Sequence, residues 1–143
     1  MDSGSPQRFV LDANTIVSGY LFPASNPGRA LEFVLTKHRL LLTLEVAFEI
    51  AGVVRRPKFD RYLSQRRREE LLASTIRDSE FIAPTSAILV CRDADDNKYL
   101  DLAVDGMASA IVSGDADQLV LHPFRGIPVL TPRDFIAQFT GQS

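Results

Sequence analysis

The sequence predicts an α/β protein, a three-layer α/β/α sandwich in which helices cover a central parallel sheet of four to five strands. Short apolar runs typical of buried strands alternate with segments whose apolar residues recur at helical spacing. Because parallel strands need helical crossovers, this alternation favours a parallel sheet. No internal repeat, linker or low-complexity tract interrupts it, so residues 8–143 are expected to form one domain.

The predicted elements follow one another along the whole chain. Strands are expected at residues 9–11, 40–43, 88–90, 110–113 and 128–130. Helices are expected at residues 30–35, 45–54, 61–78, 97–107 and 118–121, and a last helix opens at Thr131-Pro132, where Thr131 is a suitable N-cap. In the charged helix at 61–78, the residues expected to face inward are Leu63, Leu71, Leu72 and Ile76.

Composition narrows the chemistry that the chain can support. Its net charge of −2 gives no bulk attraction to nucleic acid, so a polyanion would need a local basic patch or a bound metal ion. Cys91 is the only cysteine, which excludes an intramolecular disulfide and cysteine-rich zinc sites. With His38 and His122 as the only histidines, no plausible nucleophilic triad is found.

The N-terminal segment and the apolar runs indicate where the protein acts. Residues 1–7 are small and polar and are expected to be disordered, and they lack the basic and apolar regions of a secretory signal. Charges interrupt every apolar stretch before it reaches the length of a membrane span. We therefore expect a cytoplasmic protein with no membrane association.

Acidic residues stand where two of the predicted strands end. Asp12 ends the first apolar run, Asp115 ends a later one, and Asp117 lies two residues further on. Ligands of parallel α/β sheets bind outside the carboxyl ends of the strands. More acids occur at residues 93–96, before a predicted helix, and Glu49 lies on the helix after the second strand. Each acid alone is more typical of a helix cap or a solvated surface, so the prediction depends on their joint pattern.

Several carboxylates in one crevice predict a metal site. They repel one another and raise one another's pKa unless a cation is bound. Oxygen-only ligands suit Mg²⁺ or Mn²⁺, and Mg²⁺ usually keeps several waters. A water can then be activated while a phosphate is bound, so the pattern indicates metal-assisted attack on a phosphodiester.

Each group of acids lies within a longer segment of characteristic sequence. The four segments are Val10-Leu11-Asp12-Ala13-Asn14-Thr15-Ile16-Val17-Ser18, then Phe48-Glu49-Ile50 with Val54-Arg55-Arg56-Pro57-Lys58-Phe59, then Asp93-Ala94-Asp95-Asp96-Asn97-Lys98-Tyr99-Leu100, and finally Ile111-Val112-Ser113-Gly114-Asp115-Ala116-Asp117-Gln118-Leu119. Together, and in this order, they resemble the PIN-domain family, in particular its bacterial branch of toxins from toxin–antitoxin pairs. Each segment alone is weakly specific, whereas the four together are a strong signal.

The resemblance implies a metal-dependent endoribonuclease, the VapC-like toxin of a type II toxin–antitoxin system. RNA would be its substrate, an antitoxin protein its partner, and a homodimer its usual assembly. By motif position, the catalytic and metal-binding residues would be Asp12, Glu49, Asp96 and Asp115, with Asp117 as an auxiliary metal ligand. Asn14 and Ser113 would orient the acids or contact the phosphate. Asp95 and Asp96 are adjacent, and motif position favours Asp96 as the ligand.

The chain departs from the family pattern at two positions. Ala13 stands where threonine is common, which removes a hydroxyl but no carboxylate. Ser113 also replaces a common threonine and keeps the hydroxyl. Glu49 would hold a second ion or orient the attacking water, and no covalent enzyme intermediate is required.

A basic segment is a candidate binding surface for the RNA backbone. Seven of the 16 Lys and Arg residues lie within the 14 positions from 55 to 68. Local cations supply the phosphate attraction that the net charge cannot. The predicted RNA-binding residues are Arg55, Arg56, Lys58, Arg66, Arg67 and Arg68. A solvated helix face, partly neutralised by Asp60, Glu69 and Glu70, is an equally good interpretation.

Two other functions remain open from the sequence. The run from Asp12 to Ile16 also resembles the first motif of haloacid-dehalogenase phosphohydrolases, but Asn14 stands where those enzymes have a general acid. A non-catalytic PIN fold that only binds RNA or protein would be expected to lack some of the acids. All four are present, which favours an active enzyme.

Overall fold

The computed structural model describes residues 5–83 and 97–141, and its centre is a five-stranded parallel sheet flanked by helices. The strand order is β3-β2-β1-β4-β5, and every neighbouring pair is parallel. The strands are β1 (Arg8–Leu11), β2 (Arg39–Leu42), β3 (Glu80–Phe81), β4 (Ala110–Val112) and β5 (Val129–Leu130). The predicted fold class is therefore confirmed.

Helices connect the strands throughout the described residues. They are α1 (Ala13–Leu21), α2 (Asn26–Lys37), α3 (Leu44–Val53), α4 (Gln65–Asp78), α5 (Asn97–Asp105), α6 (Ala116–Leu119) and α7 (Pro132–Phe139), with a short 3₁₀ turn at Pro57–Phe59. Within residues 5–83 and 97–141, none of these helices has the length and apolar character needed to cross a bilayer.

The order of the strands creates a switch point between β1 and β4. From β1 the sheet extends through β2 and β3 on one side, and through β4 and β5 on the other. Leu11 pairs with Val112 in register, so the residues that follow these two strands emerge side by side. A crevice at such a switch point is the usual ligand site of an open parallel sheet.

An aromatic cluster helps to fix α2 and α7 against the sheet. The ring of Phe9 on β1 lies 5.0 Å from that of Phe135 and 5.2 Å from that of Phe139, both edge-on. Phe33 on α2 contacts Phe135 at 5.8 Å. Edge-to-face pairs contribute about 0.5–1.5 kcal/mol each beyond the apolar area that they bury.

The α1–α2 connection is a close corner that depends on glycine. A Cβ atom at Gly28 would lie 2.4 Å from the carbonyl oxygens of both Phe22 and Pro23. A Cβ at Gly19 would lie 2.8 Å from the carbonyl oxygen of Pro27. Both contacts are to backbone atoms, which cannot move aside as a flexible side chain can.

Several details of the structure differ from the sequence-based expectations. Helix α1 was not predicted, nor was the two-residue strand β3. Ile76 was expected to face inward but is 40% exposed, because Thr75, one turn after Leu71, takes the buried position. The strand expected at residues 88–90 lies outside the described residues.

The expected disorder of residues 1–7 is wrong for Gln7. Its backbone N–H donates to Nδ1 of His38 over 2.8 Å, and its carbonyl accepts the N–H of Arg39 over 2.9 Å. Gln7, directly before β1, therefore already forms hydrogen bonds with residues at the start of β2. Residues 1–4 lie outside the described part of the chain.

Candidate active site

Asp12 lies at the switch point, directly after β1. It is the N-cap of α1, where its Oδ1 accepts the backbone N–H of Thr15 over 2.8 Å. Its Oδ2 accepts the hydroxyl of Ser113 over 2.7 Å, and the side chain is nearly buried. A buried carboxylate is tolerated when it is hydrogen-bonded, and both oxygens of Asp12 have such partners. The residue is therefore both a helix cap and an acid of the switch-point crevice.

Asp115 reaches the same crevice from β4. It is the N-cap of the short helix α6, and its Oδ1 accepts the backbone N–H of Asp117 over 2.9 Å. Ser113, which is fully buried, accepts the backbone N–H of Asp115 over 3.0 Å while donating to Asp12. One hydroxyl thus connects the two acids that follow neighbouring strands.

Glu49 comes from α3 and is held by two neighbouring residues of α5. The hydroxyl of Tyr99 donates to Oε1 of Glu49. The ammonium of Lys98 forms an ion pair with Oε2 at 3.8 Å. Glu49 therefore faces the protein's own polar groups as well as the crevice, while its helical neighbours Val46, Ile50 and Val53 are buried.

Tyr99 links Glu49 to the start of α1. Its Oη accepts the backbone N–H of Ala13 over 3.0 Å, in addition to donating to Glu49. Burial first, and then the hydrogen bond and charge of Glu49, raise the pKa of Tyr99 well above its ordinary range. The phenol therefore stays protonated and remains a donor. This contact also satisfies the N–H at the position where the family commonly has threonine.

These side chains line one cleft of about 450 Å³. It is lined by Asp12, Asn14, Thr15, Ser18, Pro27, Glu49, Tyr99, Gly114, Asp115 and Pro132. Three lining residues are acids and none is a lysine, arginine or histidine, so the described wall of the cleft is negative. The cleft thus brings together three of the four acids that the sequence singled out.

The fourth predicted acid, Asp96, and its neighbour Asp95 lie outside the described residues. Asp117 is half-buried on α6; its backbone supports Asp115, and its side chain does not line the cleft. Ser113 sits behind the acids rather than in the cleft wall, where it orients Asp12 and Asp115.

Asn14 connects the cleft to the basic segment. It lines the cleft, and its Oδ1 accepts a hydrogen bond from the guanidinium of Arg56 over 3.1 Å. Arg56 is exposed and directly precedes the 3₁₀ turn at Pro57–Phe59. A cation is therefore fixed at the rim of a negative cleft, which suits a phosphate group approaching the acids.

The rest of the basic segment does not form one continuous strip. On α4, Arg66 pairs with Glu70 in solvent, whereas Arg68 is largely buried and pairs with Asp60 over 2.7 Å. Arg67 lines a separate groove beside Tyr20. Consecutive helical residues point about 100° apart, so three in a row cannot face one surface. Arg55 and Lys58 are exposed.

Tyr99 and Lys98 both contact Glu49 and were not predicted from the sequence as site residues. Both belong to the third motif segment, directly after the acidic run, but neither carries a carboxylate. The position of Tyr99 in the sequence could have indicated its role. Tyr99 is buried together with Leu102 and Ala103 on the inner face of α5, the helix that directly follows the acidic run.

The donor set fits a hard divalent cation in its chemistry. The cleft offers carboxylate oxygens from Asp12, Glu49 and Asp115, with no sulfur or imidazole among its lining residues. In residues 5–83 and 97–141, however, no three Asp, Glu, His or Cys side chains stand close enough together to hold one ion. The described acids therefore supply ligands of the right type but not a complete coordination shell.

Comparison with known proteins identifies the family to which the chain belongs. The chain matches the PIN domain family over residues 8–117, which is most of its length, and it therefore belongs to that family. PIN domains are typically nucleases, hydrolases of phosphodiester bonds that generally use divalent metal ions. The match gives no support to the phosphohydrolase alternative.

A relative extends the similarity across almost the whole chain. An uncharacterised protein of Methanocaldococcus jannaschii is 29% identical over 142 residues, which cover 92% of this chain and 91% of that protein. The similarity therefore extends well beyond the segment matched by the family, which is residues 8–117.

Proposed function

We propose that the protein is a Mg²⁺- or Mn²⁺-dependent endoribonuclease whose active site is the cleft at the carboxyl ends of β1 and β4. The observation that carries the proposal is the convergence of Asp12, Glu49 and Asp115 in that cleft, since these residues come from three separate elements. Family membership supports nuclease chemistry, and the oxygen-only donor set supports a hard divalent cation.

Each residue has a defined role in this proposal. Asp12, Asp115, Glu49 and Asp96 would hold the cation, with Asp117 as an auxiliary acid. A cation bound there would supply the Lewis-acid chemistry of phosphodiester hydrolysis, by binding the phosphate and acidifying water. Ser113 orients Asp12, and Tyr99 orients Glu49.

Arg56, fixed by Asn14 at the rim, would bind the RNA backbone. The exposed cations Arg55 and Lys58 lie on either side of it in sequence and would extend this contact. Arg66 and Arg67 would contribute less, since α4 directs them to different surfaces. These local cations would supply the attraction to phosphate that the net charge of −2 does not.

The biological role that we propose is that of a cytoplasmic toxin, neutralised by an antitoxin protein and acting as a homodimer. Its support is the similarity of the four motif segments to the bacterial toxin branch of the family. Induced expression of the wild-type chain should arrest bacterial growth, and the Asp115→Asn variant should not. Growth that is unaffected by soluble, catalytically active protein would contradict the toxin role but not the nuclease.

The decisive experiment for the enzyme uses an end-labelled single-stranded RNA with Mn²⁺, with Mg²⁺ and with EDTA. We expect internal cleavage that leaves 5′-phosphate ends, that EDTA abolishes, and that a DNA strand of the same sequence does not undergo. Asp115→Asn should lose cleavage while retaining most RNA binding. Asp134→Asn, an exposed acid on α7, is the matched control and should cleave at the wild-type rate.

Two results would overturn this proposal. The first is cleavage that survives EDTA, and the second is Asp115→Asn cutting as fast as the wild type. Rapid hydrolysis of p-nitrophenyl phosphate without RNA cleavage would instead favour a phosphohydrolase.

A further inference from the structure

Lys98 is a buried cation next to Glu49, one of the three acids that line the cleft. Its side chain is only 8% exposed, and its ammonium lies 3.8 Å from Oε2 of Glu49. The same ammonium lies 5.6 Å from the centre of the Tyr99 ring, whose hydroxyl donates to the other oxygen of Glu49. Lys98 therefore belongs to a built contact and is unlike a solvated surface lysine.

Burying the ammonium of Lys98 costs electrostatic free energy, which its interactions must offset. Burying an ammonium is expensive unless it is paired, and three carboxylates line the cleft beside it. Those carboxylates would repel one another in the absence of a cation. A fixed positive charge beside Glu49 offsets part of this repulsion, so Lys98 and the acids stabilise each other in the metal-free protein.

We propose that Lys98 is a built-in counter-cation of the cleft, which holds Glu49 while no divalent cation is bound and competes with that cation for the carboxylate. The inference rests on the proposed function only in taking the cleft as a Mg²⁺ or Mn²⁺ site. Since the two cations repel each other and share Glu49, Lys98 weakens metal binding. Lys98 also stabilises the metal-free cleft and holds Glu49 in its position.

The test removes the charge but keeps a hydrogen-bond donor. Lys98→Gln should bind Mn²⁺ about tenfold more tightly than the wild type, a coupling of about 1.4 kcal/mol. Its metal-free Tm should be lower, and saturating Mn²⁺ should raise that Tm by more than it raises the wild-type value. Isothermal titration calorimetry and thermal unfolding measure both effects without any substrate.

Two controls separate this local effect from a general change in net charge. Lys98→Arg keeps the charge and should bind Mn²⁺ with an affinity close to that of the wild type. Lys37→Gln removes an exposed lysine at the end of α2 and should change neither affinity nor stabilisation by the metal. If Lys98→Gln does not fold, Lys98→Met provides a second neutral variant for the same titration.

The outcomes distinguish this inference from the proposed function. Mn²⁺ binding that is unchanged or weaker in a folded, neutral Lys98 variant overturns the counter-cation role and leaves the nuclease proposal standing. A wild-type protein that binds neither Mn²⁺ nor Mg²⁺ overturns the metal-dependent nuclease itself. An equal increase in affinity for Lys37→Gln would assign the effect to net charge and also reject the inference.

Discussion

The hydroxyl of Ser113 donates a hydrogen bond to Oδ2 of Asp12 over 2.7 Å, although the two residues are 101 positions apart in the sequence. They follow neighbouring strands, and the same hydroxyl accepts the backbone N–H of Asp115 over 3.0 Å. The relative position of the two cleft aspartates therefore depends on one small, fully buried side chain.

Replacing Ser113 with alanine should lower both stability and activity. The substitution leaves Oδ2 of Asp12 and the N–H of Asp115 without this partner, which should cost about 1–3 kcal/mol of unfolding free energy. Urea denaturation measures the loss. Ser113→Thr keeps the hydroxyl and should cost less, so an alanine variant as stable as the wild type would show that the connection contributes nothing.

Asp12→Asn and Asp12→Ala should separate the two roles of this residue. Asparagine can still accept the N–H of Thr15 as an N-cap, so Asp12→Asn should leave the metal-free stability within about 1 kcal/mol of the wild type. Alanine removes both the cap and the acceptor of the buried Ser113 hydroxyl, so it should cost more than the about 1–2 kcal/mol of a lost cap alone. Both variants should lose Mn²⁺ affinity in calorimetry. Full metal binding by Asp12→Asn would remove Asp12 from the metal site.

The raised pKa of Tyr99 predicts a loss of stability at alkaline pH. In the unfolded chain this tyrosine ionises near its ordinary value of 10.0, whereas in the folded protein it stays protonated. The folded state then binds more protons above that value, so unfolding free energy falls as pH rises through it. Thermal unfolding at pH 9 and pH 11 should show a smaller fall for Tyr99→Phe than for the wild type.

The control for this pH dependence is Tyr62→Phe, which removes a more exposed tyrosine, and this variant should follow the wild-type curve. At neutral pH, Tyr99→Phe should also be less stable by about 1–3 kcal/mol, because Ala13 and Glu49 lose a buried partner. An identical alkaline slope for Tyr99→Phe and the wild type would mean that the phenol ionises normally.

Arg56 should contribute more to RNA binding than the arginines of α4. Arg56 hydrogen-bonds to the neutral amide of Asn14 at the cleft rim, whereas Arg66 already pairs with Glu70. Arg56→Gln should weaken binding and reduce the slope of log K against log salt by about one unit. Arg66→Gln, measured in the same fluorescence anisotropy titrations, should change the slope little. Equal slopes for the two variants would contradict a phosphate contact at Arg56.

Much of the sheet and part of the site follow from local sequence patterns. Four of the five observed strands were predicted because their residues form short apolar runs, and Asp12 and Asp115 stood out because they end two of those runs. The parallel order then brings these strand ends together. Glu49 could be predicted as a site residue only with the help of the motif, because tertiary packing decides whether an acid among apolar helical residues faces the cleft.

The elements that were missed have physical explanations. Helix α1 is buried on much of its surface and contains the β-branched run Thr15-Ile16-Val17, which hides the helical period and favours a strand by local propensity. Strand β3 has two residues, too few for any alternation to be visible. The role of Tyr99 depends on contacts with residues 50 and 86 positions away, which no local pattern encodes.

The close corner at Gly28 has a consequence for the tolerance of the chain to mutation. A side chain at position 28 would clash with the carbonyl oxygens of Phe22 and Pro23 and would displace helix α2. That helix begins beside Pro27, which forms part of the cleft wall, so the displacement would also change the cleft. In a library of random variants selected for activity, position 28 should therefore retain glycine alone, although it does not line the cleft. Gly52, which has open space around its Cβ position, should accept many residues in the same selection.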